Sequence, residues 1–134
     1  MNIVELDIYS DRASELYSLL NRQWPELESF ERERFGLQIP NPLAAIEDGK
    51  LIGGLSFTSY KEPLGEKIRV WINALFVKPK YRGKRAASTL LQAAVFREGC
   101  LFALTEVPKL YTNIGWKVVS TSAEGAIVQH VQRT

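Results

Sequence analysis

The sequence is poor in the side chains that build disulfides and metal sites. Its 134 residues include one cysteine, Cys100, and one histidine, His130. A lone cysteine excludes an internal disulfide and suits a reducing compartment. A lone histidine together with a lone cysteine cannot form a structural zinc site. We therefore expect no metal, and we expect Cys100 to be an inert buried thiol because it opens an apolar run.

Long hydrophobic runs are also missing. No apolar stretch approaches the roughly 18 residues of a membrane span, and the N-terminus lacks a basic segment followed by an apolar one. Hydrophobic residues make up 46% of the chain and charged residues 24%, as in ordinary globular proteins. We expect residues 1–134 to form one domain with one sizeable core, no membrane partner, and a cytoplasmic location.

The positive charge is concentrated in one place. Five of the 17 lysines and arginines fall within residues 78–85, which leaves 12 basic against 15 acidic residues elsewhere. Such local basicity fits a small polyanionic ligand better than a long nucleic-acid track. Tyr81 is the only aromatic residue among these charges, so stacking on nucleic-acid bases is disfavoured as well. We expect no nucleic-acid partner.

The most informative stretch lies in the middle of the chain. Residues 70–77 are apolar except for Asn73, a composition typical of a strand covered on both faces, and Pro79 ends it. Small and apolar residues then recur at i, i+3, i+4 and i+7, which predicts a helix over 84–98 with one buried stripe. Gly99 stands where a C-terminal cap belongs.

A basic turn connects this strand to this helix. It contains Gly83 and the five basic residues Lys78, Lys80, Arg82, Lys84 and Arg85. A turn that enters a helix presents free backbone N–H groups, and the helix dipole favours negative charge there. The turn is therefore either a cradle for phosphate or pyrophosphate or a solvated basic surface loop. The spacing alone does not decide between them.

Two motifs carry a family resemblance. The turn resembles the coenzyme A-binding signature Q/R-x-x-G-x-G/A of the GNAT superfamily of N-acetyltransferases, with Lys80 at the first position and Gly83 at the first glycine. Arg85 occupies the second small position, which is a departure. The segment Leu-Tyr-Thr-Asn-Ile-Gly-Trp at 110–116 is similar to the family's L/F-Y-x-x-x-G-F/W pattern. The resemblance covers roughly residues 40 to 120, and the motifs have the family's order and separation.

The resemblance implies an α/β (α+β) fold. Its mixed, mostly antiparallel central sheet would have six to seven strands, splayed central parallel strands and about four flanking helices. Local patterns agree with this fold. They predict a strand over 4–8, a helix from a Ser10 or Asp11 cap to Pro25, a second helix to about Phe35, a hairpin of 42–46 with 51–58, a parallel strand at 100–105, a short helix at 108–114 and a final pair at 116–120 and 125–131.

The family's chemistry implies that acetyl-CoA is a co-substrate lying in the gap between the splayed strands. The implied cofactor-binding residues are Leu75, Phe76, Val77, Arg82, Gly83, Lys84, Arg85, Ala86 and Ala87. Backbone N–H groups near Leu75 and Phe76 are candidate donors to the oxyanion that develops during attack by an amine. The acceptor would be a small molecule or a peptide with a primary amine.

Three residues are candidates for the proton transfers. By resemblance Tyr111 is the general acid for the departing thiolate, although a packed aromatic is the alternative. Many relatives carry a glutamate where this chain has Asn73, which cannot accept a proton at neutral pH but could orient a water. Glu106, at the end of the second parallel strand, is the nearest other candidate base, or simply a surface carboxylate.

A second function stays open at this point. A catalytically inactive domain of the same fold could bind coenzyme A as a regulatory or interaction module, and Asn73 and Arg85 favour that alternative. Arg85 either blocks close approach of the pyrophosphate or adds a charge-assisted contact to it. The amine acceptor is not predicted, and the chain is expected to be a monomer or a homodimer.

Overall fold

A computed structural model describes residues 1–83 and 85–131. Within these ranges the chain forms nine strands and three α-helices. The strands are β1 Asn2–Glu5, β2 Glu33–Arg34, β3 Leu37–Gln38, β4 Leu43–Glu47, β5 Lys50–Lys61, β6 Ile68–Val77, β7 Leu101–Thr105, β8 Lys117–Ser122 and β9 Gly125–His130. The helices are α1 Asp11–Gln23, α2 Ala86–Glu98 and α3 Pro108–Thr112, and a 3₁₀ turn spans Pro79–Tyr81.

Seven of the strands form one sheet in the order β1-β4-β5-β6-β7-β9-β8. The pair β6–β7 is parallel, whereas the other pairs described in this sheet are antiparallel. The helix α2 links the parallel pair, because a crossover is needed to return the chain to the same end of the sheet. This arrangement confirms the predicted mixed, mostly antiparallel sheet.

Helices cover both faces of the sheet. On one face Leu16 and Leu20 of α1 pack with Leu51 and Ala74 of the sheet. On the other face, α2 and α3 share the larger cluster, which includes Leu90, Leu91, Ile52, Ile72 and Tyr111. The predicted Ser10 cap is confirmed, because its side chain accepts a hydrogen bond from the Ala13 N–H at 3.2 Å.

A close approach fixes α1 on the sheet. A Cβ atom added at Gly54 in β5 would lie 2.5 Å from Leu16 Cδ1 and 2.7 Å from the Leu43 carbonyl oxygen. Only glycine leaves room for the helix at this point. The C-terminal end of α1 and the following Trp24 are thereby held beside the middle of the sheet.

The predicted second helix, ending near Phe35, is wrong. Residues 24–36 contain no helix; instead β2 pairs with β3 around Phe35 and Gly36, whose φ angles of 53° and 77° make a tight hairpin turn. Pro25 interrupts helical hydrogen bonding, and the mixed charges that follow offer no apolar stripe to bury. Three α-helices and one 3₁₀ turn therefore flank the sheet in the described chain, where about four helices were predicted.

Boundaries elsewhere move by a few residues. The first strand is Asn2–Glu5, although the predicted span was 4–8. Pairing with the chain that leads into β4 extends to Leu6, because its N–H donates to the Pro42 carbonyl at 2.9 Å. Gly99, with φ of 74°, ends α2 as predicted.

Candidate active site

The central feature of the site is a bulge in β6. Ser56 of β5 pairs with Ala74 and Phe57 pairs with Ile72, so Asn73 is the extra residue. Pairing with β7 stops at the same place, because only Trp71 and Ile72 have register partners there. A bulge bends a strand and increases its twist. It therefore accounts for the divergence of β6 from β7 beyond residue 72, and the predicted splay is present.

The splay opens a cleft of about 660 Å³ between the two strands. Residues 73–77 form one wall, and residues 74–77 are paired with β5 on their other side. Seven of the predicted site residues line the cleft: Asn73, Leu75, Phe76, Val77, Arg82, Glu106 and Tyr111. The structure thus brings together the two motifs that the sequence separates by about thirty residues.

The basic turn lies at one end of this cleft. Gly83 has φ of 82° and nothing within 4 Å of the position a Cβ would take. Arg82 folds back onto β6, where its Nε donates to the Val77 carbonyl at 3.0 Å and its guanidinium lies 5.0 Å from the Phe76 ring centroid. Lys84, the remaining predicted member of the turn, lies outside the described residues.

The start of α2 is open to a ligand. Arg85 is the N-cap residue, with φ of 63° and no side-chain hydrogen bond to the helix. Its carbonyl accepts from the Thr89 N–H and hydroxyl, so the main chain turns sharply into the helix. The first N–H groups of α2, beginning at Ala86 and Ala87, have no capping side chain and can donate to an anion. These N–H groups fit a phosphate group, and the Arg85 side chain beside them is exposed.

Tyr111 stands in the cleft wall on α3. Its side chain is 4% exposed and packs edge-on against Trp116, with ring centroids 5.0 Å apart. Burial raises the pKa of Tyr111 from 10.0 to about 12. The phenol therefore keeps its proton throughout the neutral range, as a general acid must, although a higher pKa makes it a weaker acid than a free phenol.

A second cavity, of about 640 Å³, adjoins the cleft on the side away from the basic turn. It is bounded by the segment after α1, the adjoining parts of β5 and β6, and the β8–β9 turn. Five side chains line both spaces: Trp24, Ile72, Asn73, Leu104 and Glu124. The two spaces therefore meet at the bulge.

Among these five shared side chains only Glu124 is ionisable. Sequence reasoning missed it, because an exposed glutamate in a turn looks like any surface carboxylate. Glu106 lines the cleft and not the second cavity, and Asn73 lines both where they meet. The predicted Asn73 and Glu106 are thus both near the site, and Glu124 is a third polar group that the fold adds to them.

Comparison with known proteins decides the family. The model of the acetyltransferase (GNAT) family matches residues 9–115. The chain belongs to this family. The parallel β6–β7 pair and its splay are therefore the central part of a GNAT domain.

Solved structures share this GNAT fold at low sequence identity. YncA from Salmonella typhimurium, determined with acetyl-CoA, is 16% identical with a TM-score of 0.67, over 100% of this chain and 95% of the other. An aminoglycoside 6′-N-acetyltransferase complexed with coenzyme A is 18% identical with a TM-score of 0.67, over 100% and 99%. Arabidopsis thaliana Naa50 with the bisubstrate analogue CoA-Ac-MVNAL is 15% identical with a TM-score of 0.63, over 96% of each chain.

No curated protein sequence matches the chain significantly. Within residues 1–83 and 85–131, no three or more histidine, cysteine or acidic side chains group closely enough to hold a metal ion. The helices in these same ranges are too short or too polar to cross a bilayer.

Proposed function

We propose that this GNAT protein is an N-acetyltransferase that moves the acetyl group of acetyl-CoA to a primary amine by direct attack. The observation that carries the proposal is the open edge of β6 at residues 73–77, which leads directly to the uncapped start of α2. Backbone polar groups at an open strand edge need partners, and so do the first N–H groups of a helix. A ligand with amides at one end and phosphates at the other satisfies both.

Acetyl-CoA has this distribution of groups. The amides of its pantetheine arm would pair with the β6 edge at Leu75, Phe76 and Val77. Its pyrophosphate would accept from the N–H groups of the turn and of Ala86 and Ala87, with Gly83 allowing close approach. The side chains of Arg82, Lys84 and Arg85 would supply positive charge around it.

Bound acetyl-CoA supplies an acetyl group activated as a thioester. The amine nitrogen forms a bond to the carbonyl carbon, the carbon–sulfur bond breaks, the amine loses one proton and the thiolate gains one. The backbone N–H of Leu75 or Phe76, whichever faces the open edge of β6, stabilises the oxyanion. Tyr111 donates its phenolic proton to the sulfur. Asn73 orients a water that receives the proton of the amine, and Glu106 or Glu124 accepts it from that water.

The acceptor would enter through the second cavity and reach the thioester at the bulge. Acceptors of different sizes are compatible with this route. One protein of similar structure is an aminoglycoside 6′-N-acetyltransferase, and another was solved with a bisubstrate analogue that contains a peptide. We also propose that residues 1–134 act as one domain in the cytoplasm, as a monomer or homodimer, without a nucleic-acid partner.

The alternative is an inactive module that binds coenzyme A. One observation favours it: the bulge residue is Asn73 and carries no carboxylate. The two functions differ in turnover and not in cofactor binding.

Two measurements on the full chain test the proposal. Acetyl-CoA should raise the melting temperature, because it binds the folded state alone. Release of free thiol in the presence of a panel of amines should then reveal turnover. Stabilisation without any amine-dependent thiol release would favour the inactive module, and a melting temperature that does not change would remove both functions.

A further inference from the structure

The second cavity has its own charge. Its charged lining side chains are three glutamates, Glu26, Glu28 and Glu124, and one arginine, Arg34. Arg34 Nη1 lies 3.5 Å from Glu28 Oε2, so this pair is largely neutral as a unit. Glu26 and Glu124 have no ion pair within the described part of the chain. The cavity is therefore negative beside a cofactor turn that is strongly positive.

Aromatic rings form another part of the cavity wall. Trp24 lies at the junction with the cleft, and Tyr60 and Trp71 stand further out. The rings of Tyr60 and Trp71 pack edge-on at 6.2 Å, and the Trp71 indole N–H donates to the Tyr60 carbonyl at 3.2 Å. The two rings thus support each other, and aromatic faces bind both methylene chains and organic cations.

The carboxylates occupy different depths. Glu124 lines both the cleft and the cavity, next to the bulge where the acetyl group would be transferred. Glu26 and Glu28 line only the cavity, on the segment that follows α1. A cation that reaches the bulge can therefore meet one carboxylate at the reaction centre and another further out.

We propose that the acceptor is an organic cation with at least two amino groups joined by an alkyl or similar flexible scaffold. The reacting amine lies by Glu124 and Asn73, and the second ammonium group lies by Glu26, with the linker against the aromatic wall. This inference rests on the proposed acetyl transfer. It adds that the second charge of the acceptor, and not only its reacting amine, determines specificity.

Arg34 supports a competing acceptor. Its Nε is buried without a hydrogen-bond partner, so a carboxylate-bearing acceptor such as an amino acid could bind there. However, the guanidinium already pairs with Glu28 and lies 4.8 Å from the Phe35 ring centroid. The carboxylates of Glu26 and Glu124 would also repel an acidic acceptor. The observations favour the dication.

Three acceptors of matched length distinguish these possibilities: 1,4-diaminobutane, butylamine and 4-aminobutanoate. With the native chain and acetyl-CoA, the diamine should give a kcat/KM about tenfold or more above that of butylamine, and 4-aminobutanoate should be slowest. Equal values for the diamine and butylamine would overturn the proposal. So would fastest turnover of 4-aminobutanoate that is lost in Arg34→Gln.

Variants locate the second charge. The change Glu26→Gln should raise KM for the diamine about tenfold and leave kcat/KM for butylamine unchanged. Glu33→Gln, at an exposed glutamate on β2 that lines neither space, is the matched control and should alter the turnover of neither substrate. Equal losses for both amines in Glu26→Gln would contradict a site for the second ammonium group.

A binding readout separates this proposal from the proposed function. In the chain saturated with coenzyme A, 1,4-diaminobutane should shift the indole N–H resonances of Trp24 and Trp71 in NMR spectra. Butylamine should bind with a Kd about tenfold higher in the same titration. Diamine binding without turnover would remove the enzymatic proposal and keep the cationic site. Turnover together with equal binding of the two amines would remove the cationic site and keep the enzymatic proposal.

Discussion

The two ends of the β6–β7 splay differ in charge and in how the chain builds them. The cofactor end is made by contiguous residues, the basic turn from Lys78 to Arg85 and the first turn of α2. The proposed acceptor end is assembled from the segment after α1, the β5–β6 ladder and the β8–β9 turn, which are distant in the sequence. One end is basic and the other acidic. The bulge at Asn73 stands between them, so under the proposed function a polyanion and a cation would reach the same strand from opposite sides.

The comparison explains what could be predicted from the sequence. Contiguous motifs identify the cofactor end, because the turn and the strand before it carry their own local signals. The hairpin at Asp48–Gly49, the strand at 70–77 and the helix after the turn are predicted for the same reason. Glu26, Glu28 and Glu124 could not be identified as neighbours, since nothing local links the α1 end to a turn a hundred residues later.

The predicted helix near Phe35 fails for a related reason. Its charged residues looked like a solvated helical face, but Phe35 and Gly36 both adopt left-handed backbone in a tight turn that pairs β2 with β3. Glycine tolerates this conformation and phenylalanine does not favour it, so the sequence gives little sign of the turn. The bulge at Asn73 is equally invisible in the sequence, because one polar residue in an apolar run does not show how its neighbours pair. Both features depend on tertiary pairing.

The largest expected effect concerns Tyr111, on the cofactor side of the comparison. Tyr111→Phe removes the phenolic proton and leaves the ring packed on Trp116, so kcat should fall by about 10² or more while acetyl-CoA binding is kept. Steady-state thiol release and calorimetry measure the two quantities. Tyr9→Phe, at an exposed tyrosine outside both spaces, is the control. Unchanged kcat would show that Tyr111 is only a packed aromatic.

Alkaline pH should reveal the buried phenol in the stability of the fold. The folded-state pKa of Tyr111 is about 12 and its ordinary value is 10.0, so the stabilisation is complete below pH 10 and is lost as pH rises towards 12. Denaturant unfolding should show a loss of about 2–3 kcal/mol over this range. Tyr111→Phe should lose less stability over the same pH range. Identical pH profiles for the two proteins would contradict the raised pKa.

Removing one charge from the basic turn should weaken cofactor binding. Arg82→Gln deletes a guanidinium at the cleft edge, and the Kd for acetyl-CoA should rise about tenfold because a charge-assisted bond is lost. Arg22→Gln makes the same change in net charge on the exposed end of α1 and should leave the Kd unchanged. If both variants bind equally well, global charge and not the local turn attracts the ligand.

Arg85 should give the smallest effect. Its left-handed backbone costs about 1 kcal/mol, which glycine would not incur, whereas the entropy that glycine loses on folding costs about 0.5 kcal/mol. Arg85→Gly should therefore raise the free energy of unfolding slightly. The Kd for acetyl-CoA should rise only a few-fold with the loss of one exposed charge. Arg85→Ala removes the charge without relieving the backbone and should be less stable than the glycine variant. Tighter binding in Arg85→Gly would show that the arginine obstructs the cradle.

The location of the cofactor is tested most directly by titrating the ¹⁵N-labelled chain with coenzyme A and following its backbone amide resonances. The account predicts that the largest shifts fall on residues 73–77 and on the first turn of α2, with β1 and β4 unaffected. Amide shifts confined to other parts of the chain, or none at millimolar coenzyme A, would contradict it.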